Sequence, residues 1–393
     1  MAVLDPVVLK QQAADAYGLQ AFGDDPFAEN FEYFLQSLNS EGRLTPAGEA
    51  ITRAEILGLL RNRLEIADCL AKHPAILAEP IPGPIFLMGL PRSGTTFLQN
   101  LFNHDPQLRT PRTWETLNPC PPPGAEPASV APRIAAASRH LNQWRDNVEN
   151  FDATHLIDVT GPDECALLLN MAFAQAGFQN YLRVPGFFDW LLDSGDFAAV
   201  YGFHKTVLQI LQYRDPPRRW VLKYPNHMLA MPQIRALHPG AVFVVTHRDP
   251  VQTLASLCAL TQAYRGGRTA QQDRAGIGAE MRHFVQRHID RMLSARDTPG
   301  FENGIIDIDY YRLVADPEAV VAGIYGSVGL DMPAGVRAAL RRWIAANPKG
   351  KRGRHDYRLA DYGLESCSLN AGFAQYRSRF AIPLEHEALE ATP

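Results

Sequence analysis

One stretch constrains the fold more than any other. The run Ile85-Phe86-Leu87-Met88 leads straight into Gly89-Leu90-Pro91-Arg92-Ser93-Gly94-Thr95-Thr96. Four consecutive apolar residues without alternation have the pattern of a short strand buried on both faces. The octet after them keeps the GxxxxGK[ST] spacing of a phosphate loop, except that Thr95 stands where lysine is expected. Phe97, Leu98, Leu101 and Phe102 then recur at helical spacing. Strand, glycine turn and helix in that order aim backbone N–H groups at an anion. Gly89 and Gly94 permit close backbone approach, Ser93, Thr95 and Thr96 add hydroxyls, and Arg92 adds charge. In nucleoside triphosphatases the lysine reaches the β- and γ-phosphates. Its loss argues against a triphosphate held in that way and suits a ligand with a single phosphate at its 5′ position.

The rest of the chain fits an α/β fold around this unit. Trp220-Val221-Leu222, Val242-Phe243-Val244-Val245 and Ile305-Ile306-Asp307-Ile308 read as further buried strands, with helical patterns between them. Such alternation predicts a P-loop-like parallel sheet flanked by helices on both faces. Before the first strand the chain reads as helical, over Val7–Tyr17, Phe31–Leu38 and Thr52–Lys72, with Thr52 and Glu55 in capping-box spacing. Residues 1–80 are therefore expected to form a helical N-terminal extension packed on a core domain of residues 81–393. Pro119–Pro132 reads as a surface loop and a candidate lid.

A second motif follows the third of these strands. His247-Arg248-Asp249-Pro250 places Arg248 at a strand end, Asp249 as a helix N-cap and Pro250 at the first helical position. Ser256 lies in the helix beyond. Arg248 can offer a charged fork and Ser256 a hydroxyl to one phosphate. Taken alone, the pair reads equally well as a salt bridge and an ordinary helical serine.

Together, Pro91-Arg92-Ser93-Gly94-Thr95-Thr96 and Arg248…Ser256 resemble the sulfotransferases that use 3′-phosphoadenosine-5′-phosphosulfate (PAPS). The resemblance runs from about Pro84 to Phe380, and the helical leader with Phe22-Gly23-Asp24 is similar to bacterial members of the branch that includes tyrosylprotein sulfotransferases. It implies that residues 81–393 form a PAPS-binding catalytic domain. The first motif would bind the 5′-phosphosulfate and Arg248 with Ser256 the 3′-phosphate. Lys223, in Trp220-Val221-Leu222-Lys223-Tyr224-Pro225-Asn226-His227, would contact the bridging oxygen and the transferring group. Tyr310, in Tyr310-Tyr311-Arg312-Leu313, would lie against the adenine, although the acidic pair of the family segment is absent. Within Lys349-Gly350-Lys351-Arg352-Gly353-Arg354-His355, the residues Lys351, Arg352 and Gly353 resemble the basic loop that closes over the 3′-phosphate.

The expected reaction is transfer of a sulfuryl group to an acceptor hydroxyl or amine, releasing adenosine 3′,5′-bisphosphate. Lys223 and Arg92 would stabilise charge on the leaving oxygen. The base is either His227, which lies four residues beyond Lys223, or Glu115 in Thr113-Trp114-Glu115. Asp163-Glu164 reads better as favourable charge at a helix N-terminus than as an acceptor contact. Trp114, Phe187, Phe188, Trp190 and Tyr201 could line an acceptor pocket but read better as core.

Two other classes compete: a nucleotide or small-molecule kinase, and a nucleotide-binding protein without chemistry. The absent loop lysine and Arg248…Ser256 weigh against the first, and Lys223, His227 and Glu115 against the second. No metal-ligand spacing such as HExxH or paired cysteines occurs, so no metal is expected. The formal net charge of −4 supplies no bulk attraction for nucleic acid or an anionic membrane. Five cysteines without a CxxC pair suit a reducing cytoplasm. Met1–Lys10 lacks the start of a signal peptide and no apolar run is long enough to span a membrane. A small-molecule or lipid acceptor is expected over a protein, and a homodimer stays open.

Overall fold

The computed structural model describes residues 4–23, 27–147, 157–347 and 358–384. Its sheet has five strands: β1 (Ile85–Gly89), β2 (Leu108–Arg109), β3 (Arg219–Lys223), β4 (Val242–His247) and β5 (Ile305–Asp309). They lie in the order β2-β3-β1-β4-β5, every neighbouring pair parallel. The fold is therefore the α/β arrangement that the alternating pattern predicts. β1 is central, and Ile85, Phe86, Leu87 and Met88 are each 0% exposed, as the unbroken apolar run requires. Burying such side chains contributes about 1.5–3 kcal/mol each. The short edge strand β2 was not among the expected strands, since two residues carry no periodic signal.

Register separates the two faces. Leu87 stands beside Lys223 on β3 and Val244 on β4, and Gly89 beside Thr246. Side chains alternate along a strand, so Leu87, Lys223, Val244 and Thr246 share one face. That face packs Ile85, Leu87, Val221 and Val244 against Leu98, Leu101 and Phe102 of the Thr95–Phe102 helix, together with Leu313, Val321 and Ile324. On the other face Phe86 meets Phe243 and the edge of His227, with ring centroids 6.0 and 4.9 Å away. There the Arg274–Arg296 helix packs on the Pro225–Ala230 turn, and Arg291 Nε donates to Leu229 O at 3.0 Å.

The chain divides into two compact units. The sheet belongs to one, made of Gly83–Thr110, Arg218–Leu260 and Asp273–Pro393. The other is helical and combines Met1–Pro82 with Pro111–Pro217 and Thr261–Gln272. In the helical unit the longest helix starts at Pro46 rather than at Thr52. Thr45 is its N-cap, its hydroxyl accepting from Gly48 N–H at 3.0 Å. The first turn, Pro46-Ala47-Gly48-Glu49, carries no large apolar residue, so periodicity places the start too late. Thr52 instead lies buried inside the helix, and Glu55 makes a two-pronged pair with Arg268 at 2.6 and 2.8 Å. The proline-rich stretch is pinned by Arg133, which donates to Asn118 O and to Pro121 O. Among the described residues no helix is long and apolar enough to cross a membrane. Four of the five free cysteines are buried and Cys367 is exposed.

Candidate active site

The loop between β1 and the Thr95–Phe102 helix takes its shape from two glycines and one strained residue. Gly89 has φ of 149°, and a Cβ there would sit 2.4 Å from the Thr246 carbonyl oxygen. Only glycine lets β1 end this close to β4. Gly94 has φ of 92°, and a Cβ on it would reach 3.3 Å from the Tyr310 ring and from Leu313. Between them Arg92 adopts φ of 70° and is exposed. A non-glycine residue in the left-handed region costs of order 1 kcal/mol or more and persists where the surroundings enforce it. Leu98 N–H then donates to Gly94 O at 3.0 Å and the helix proceeds.

The hydroxyls of the loop divide. Ser93 is fully buried, and its Oγ lies 2.6 Å from both Leu90 O and Thr246 Oγ1. It ties the loop to itself and to β4. Thr95 is buried at the first position of the helix. Thr96 Oγ1 accepts from Lys223 Nζ at 2.9 Å. Lys223 is the last residue of β3, 1% exposed, on the face that carries the loop helix. The cation that position 95 lacks is thus delivered to the loop from the neighbouring strand.

The second motif folds as its residues predict. Pro250 opens the Pro250–Gly266 helix, and Asp249 Oδ1 accepts from Val251 N–H at 3.1 Å. Ser256 is half-buried within that helix. Arg248 Nη1 donates to Arg92 O at 2.9 Å, and its guanidinium carbon lies 4.4 Å from the centre of the Tyr310 ring. One arginine therefore touches the first loop and the tyrosine that covers Gly94. Tyr310 itself opens a short helix capped by Asp309, whose carboxylate accepts from the N–H groups of Tyr311 and Arg312. Pro91, Arg92, Ser93, Gly94, Thr95, Thr96, Lys223, Arg248 and Tyr310 thus form one connected group.

Of the two base candidates, His227 lies in the turn just after β3 and is 0% exposed, edge-on to the rings of Phe86 and Tyr224. Glu115 belongs to the helical unit, is 3% exposed, and its Oε2 accepts from Arg112 N–H at 3.0 Å. Lys351, Arg352 and Gly353 lie outside the described residues, as does Asp24.

Several residues at the site carried no signal in sequence. Thr246 holds Ser93, and His247 lies between Asp307 and Tyr376, its Nε2 and Nδ1 at 2.7 Å from Asp307 Oδ1 and 2.8 Å from Tyr376 Oη. Burial lowers the His247 pKa and outweighs the opposing pull of Asp307. Burial would raise the Asp307 carboxyl, but Arg296 and His247 outweigh it and hold it well below the usual carboxylate range. The signal that could have found His247 is its adjacency to Arg248. Its partners lie 60 and 129 residues away.

The helical unit contains a cavity of about 830 Å³, with Thr52, Glu55, Trp144, Asn170, Tyr181 and Arg268 among its lining residues. The aromatic set Trp114, Phe187, Phe188 and Tyr201 is buried and lies outside that lining, and Trp190 stacks on Tyr33 with centroids 4.1 Å apart. Asp163 and Glu164 precede the short Ala166–Asn170 helix.

The central strand of a parallel sheet thus ends in a glycine loop to which Lys223 and Arg248 are both hydrogen-bonded. Residues 84–334 match the model of the sulfotransferase family, and the chain belongs to that family. Among solved structures, sulfotransferase STF9 from Mycobacterium avium shares 28% identity at a TM-score of 0.87, over 96% of this chain and 97% of its own. Sulfotransferase STF1 from Mycobacterium tuberculosis H37Rv shares 30% identity at a TM-score of 0.84, over 95% of this chain and 99% of its own. No curated protein sequence matches the chain significantly.

Proposed function

We propose that the protein transfers a sulfuryl group from PAPS to the hydroxyl or amine of a small-molecule acceptor, releasing adenosine 3′,5′-bisphosphate. The observation that carries this reading is Arg248, whose guanidinium donates to the Arg92 carbonyl and covers Tyr310. A donor with phosphates at both 5′ and 3′ positions and an adenine needs those three parts adjacent. Gly94 lets the loop pack closely on this tyrosine, since a Cβ there would come within 3.3 Å of Tyr310 and of Leu313.

In the reaction a bond forms between the acceptor oxygen and sulfur as the bond from sulfur to the phosphate oxygen breaks. The acceptor proton passes to a base, and negative charge grows on the leaving oxygen. Lys223, already at Thr96 Oγ1, and the exposed Arg92 stabilise that charge together with the loop N–H groups. Ser256 joins Arg248 on the 3′-phosphate. Glu115 and His227 are the base candidates, His227 being packed on Phe86 on the sheet face opposite Lys223, and replacing the true one lowers turnover about 10²–10⁴-fold with donor affinity nearly unchanged. The five free thiols support a cytoplasmic site of action.

The test is to incubate the enzyme with PAPS and panels of phenols, sterols, lipid alcohols, amines and sugars, and to follow adenosine 3′,5′-bisphosphate release. Acceptor-dependent release that disappears in Lys223→Met supports the reading. No release with any acceptor, alongside tight nucleotide binding, would make the protein a binder without chemistry.

A further inference from the structure

Arg248 is the residue on which the donor site turns, and it stands between the end of β4 at His247 and the Pro250–Gly266 helix. β4 ends with Thr246 and His247 on opposite faces. On one face Thr246 Oγ1 meets Ser93 Oγ at 2.6 Å. On the other, His247 is held by the Ala374–Phe380 helix: Tyr376 Oη lies 2.8 Å from its Nδ1, and the Phe380 ring stacks on it with centroids 4.0 Å apart. Asp307 takes the other imidazole nitrogen and is itself held by both terminal nitrogens of Arg296, at 2.6 and 2.8 Å. The carboxylate can only accept, so Nε2 carries the proton and Nδ1 accepts from the Tyr376 hydroxyl. On the far side of Arg248, Arg377 from the same helix lies 3.5 Å from Asp249 and is steadied by Asn370 O and Oδ1.

Consecutive residues of one helix thus reach the residues immediately before and after Arg248. His247, Asp249 and Tyr376 are 3%, 3% and 1% exposed, so these contacts are shielded from water and hold fixed positions. A helix of seven residues has no stability of its own. Its place is therefore set by its contacts with His247 and Asp249.

We propose that the Ala374–Phe380 helix is a positioning element for the donor's 3′-phosphate, with Tyr376 and Arg377 fixing the direction in which Arg248 presents its guanidinium. This rests on the reading of Arg248 as the 3′-phosphate ligand. Tyr376→Phe keeps the ring and removes only the hydroxyl that orients His247. Calorimetry compares adenosine 3′,5′-bisphosphate with AMP, which lacks the 3′-phosphate, in wild type, Tyr376→Phe, Arg377→Met, Arg377→Lys and Arg248→Ala, each checked for an unchanged urea midpoint. The expected result is a loss of about 3–10-fold in affinity for the bisphosphate in Tyr376→Phe, from one buried hydrogen bond. AMP binding stays the same, and Arg377→Lys recovers part of what Arg377→Met loses. Unchanged bisphosphate affinity in both Tyr376→Phe and Arg377→Met, or an equal loss for both nucleotides, overturns this inference alone. Unchanged affinity in Arg248→Ala overturns the donor reading and the inference with it.

Discussion

The Gly89–Thr96 loop and the His247–Asp249 strand end meet where Arg248 Nη1 donates to Arg92 O, but they are built by different means. The loop is shaped by its own backbone: two glycines at positive φ, a left-handed Arg92, and Ser93 folded back on Leu90 O. The strand end is shaped by side chains from three other elements: Asp307 of β5, Arg296 of the Arg274–Arg296 helix, and Tyr376 and Arg377 of the Ala374–Phe380 helix. A loop defined by backbone is intolerant of any added atom but needs few partners. A strand end defined by borrowed side chains tolerates small changes at each and fails by degrees. Lys223 joins the two schemes, being a borrowed side chain that completes the backbone loop.

That contrast can be broken at its joint first. Lys223→Met should lower single-turnover sulfuryl transfer by about 10²–10³-fold, as for other lost donors to a developing oxyanion. Affinity for adenosine 3′,5′-bisphosphate should change little. A similar loss in both would make Lys223 a binding residue and not one that acts on the transfer.

Acid sharpens the comparison from the side of the strand end. The Arg274–Arg296 helix that supplies Arg296 also contains His288, whose pKa burial pushes down to about 4, with Nδ1 at 2.7 Å from Phe284 O. An unfolded histidine titrates near 6.5, so between about 6.5 and 4 the unfolded chain binds more protons. This contribution to stability is complete above that window and is lost as pH falls through it, by up to about 3 kcal/mol. Urea denaturation at pH 7 and pH 5 should show the decline in the wild type and a shallower one in His288→Gln. Equal slopes in the two would exclude His288 as its source.

A single methyl tests the loop. Gly89→Ala places a carbon 2.4 Å from the Thr246 carbonyl oxygen, and overpacking of this kind costs about 1–3 kcal/mol. The urea midpoint should fall accordingly. An unshifted midpoint would show that the loop bends freely and that its shape is not set by close packing on β4.

The same contrast explains what could be read before the structure. The loop, β1, β3, β4, β5 and the Asp249–Pro250 cap are local patterns, in which a few adjacent residues state the geometry. Periodicity places the start of the long helix later than Pro46, because the first turn has no apolar stripe. β2 escaped because it is two residues long. The clamp on His247 escaped for a different reason: sequence spacing says nothing about a tyrosine 129 residues away. Glu55, read as half of a capping box, turns out to serve Arg268 over a separation of 213 residues. Long-range polar pairs of this kind are fixed by the fold and leave no periodic trace.

A nucleotide with separate 5′ and 3′ phosphates is expected to fit the two motifs together. The direct test is calorimetric binding of adenosine 3′,5′-bisphosphate, with ADP and ATP as controls and no Mg²⁺ added. The prediction is selective binding of the bisphosphate that weakens on Arg248→Ala. Binding of ATP as tight or tighter, unaffected by that substitution, would contradict the claim and return the chain to the kinase-like reading of its loop.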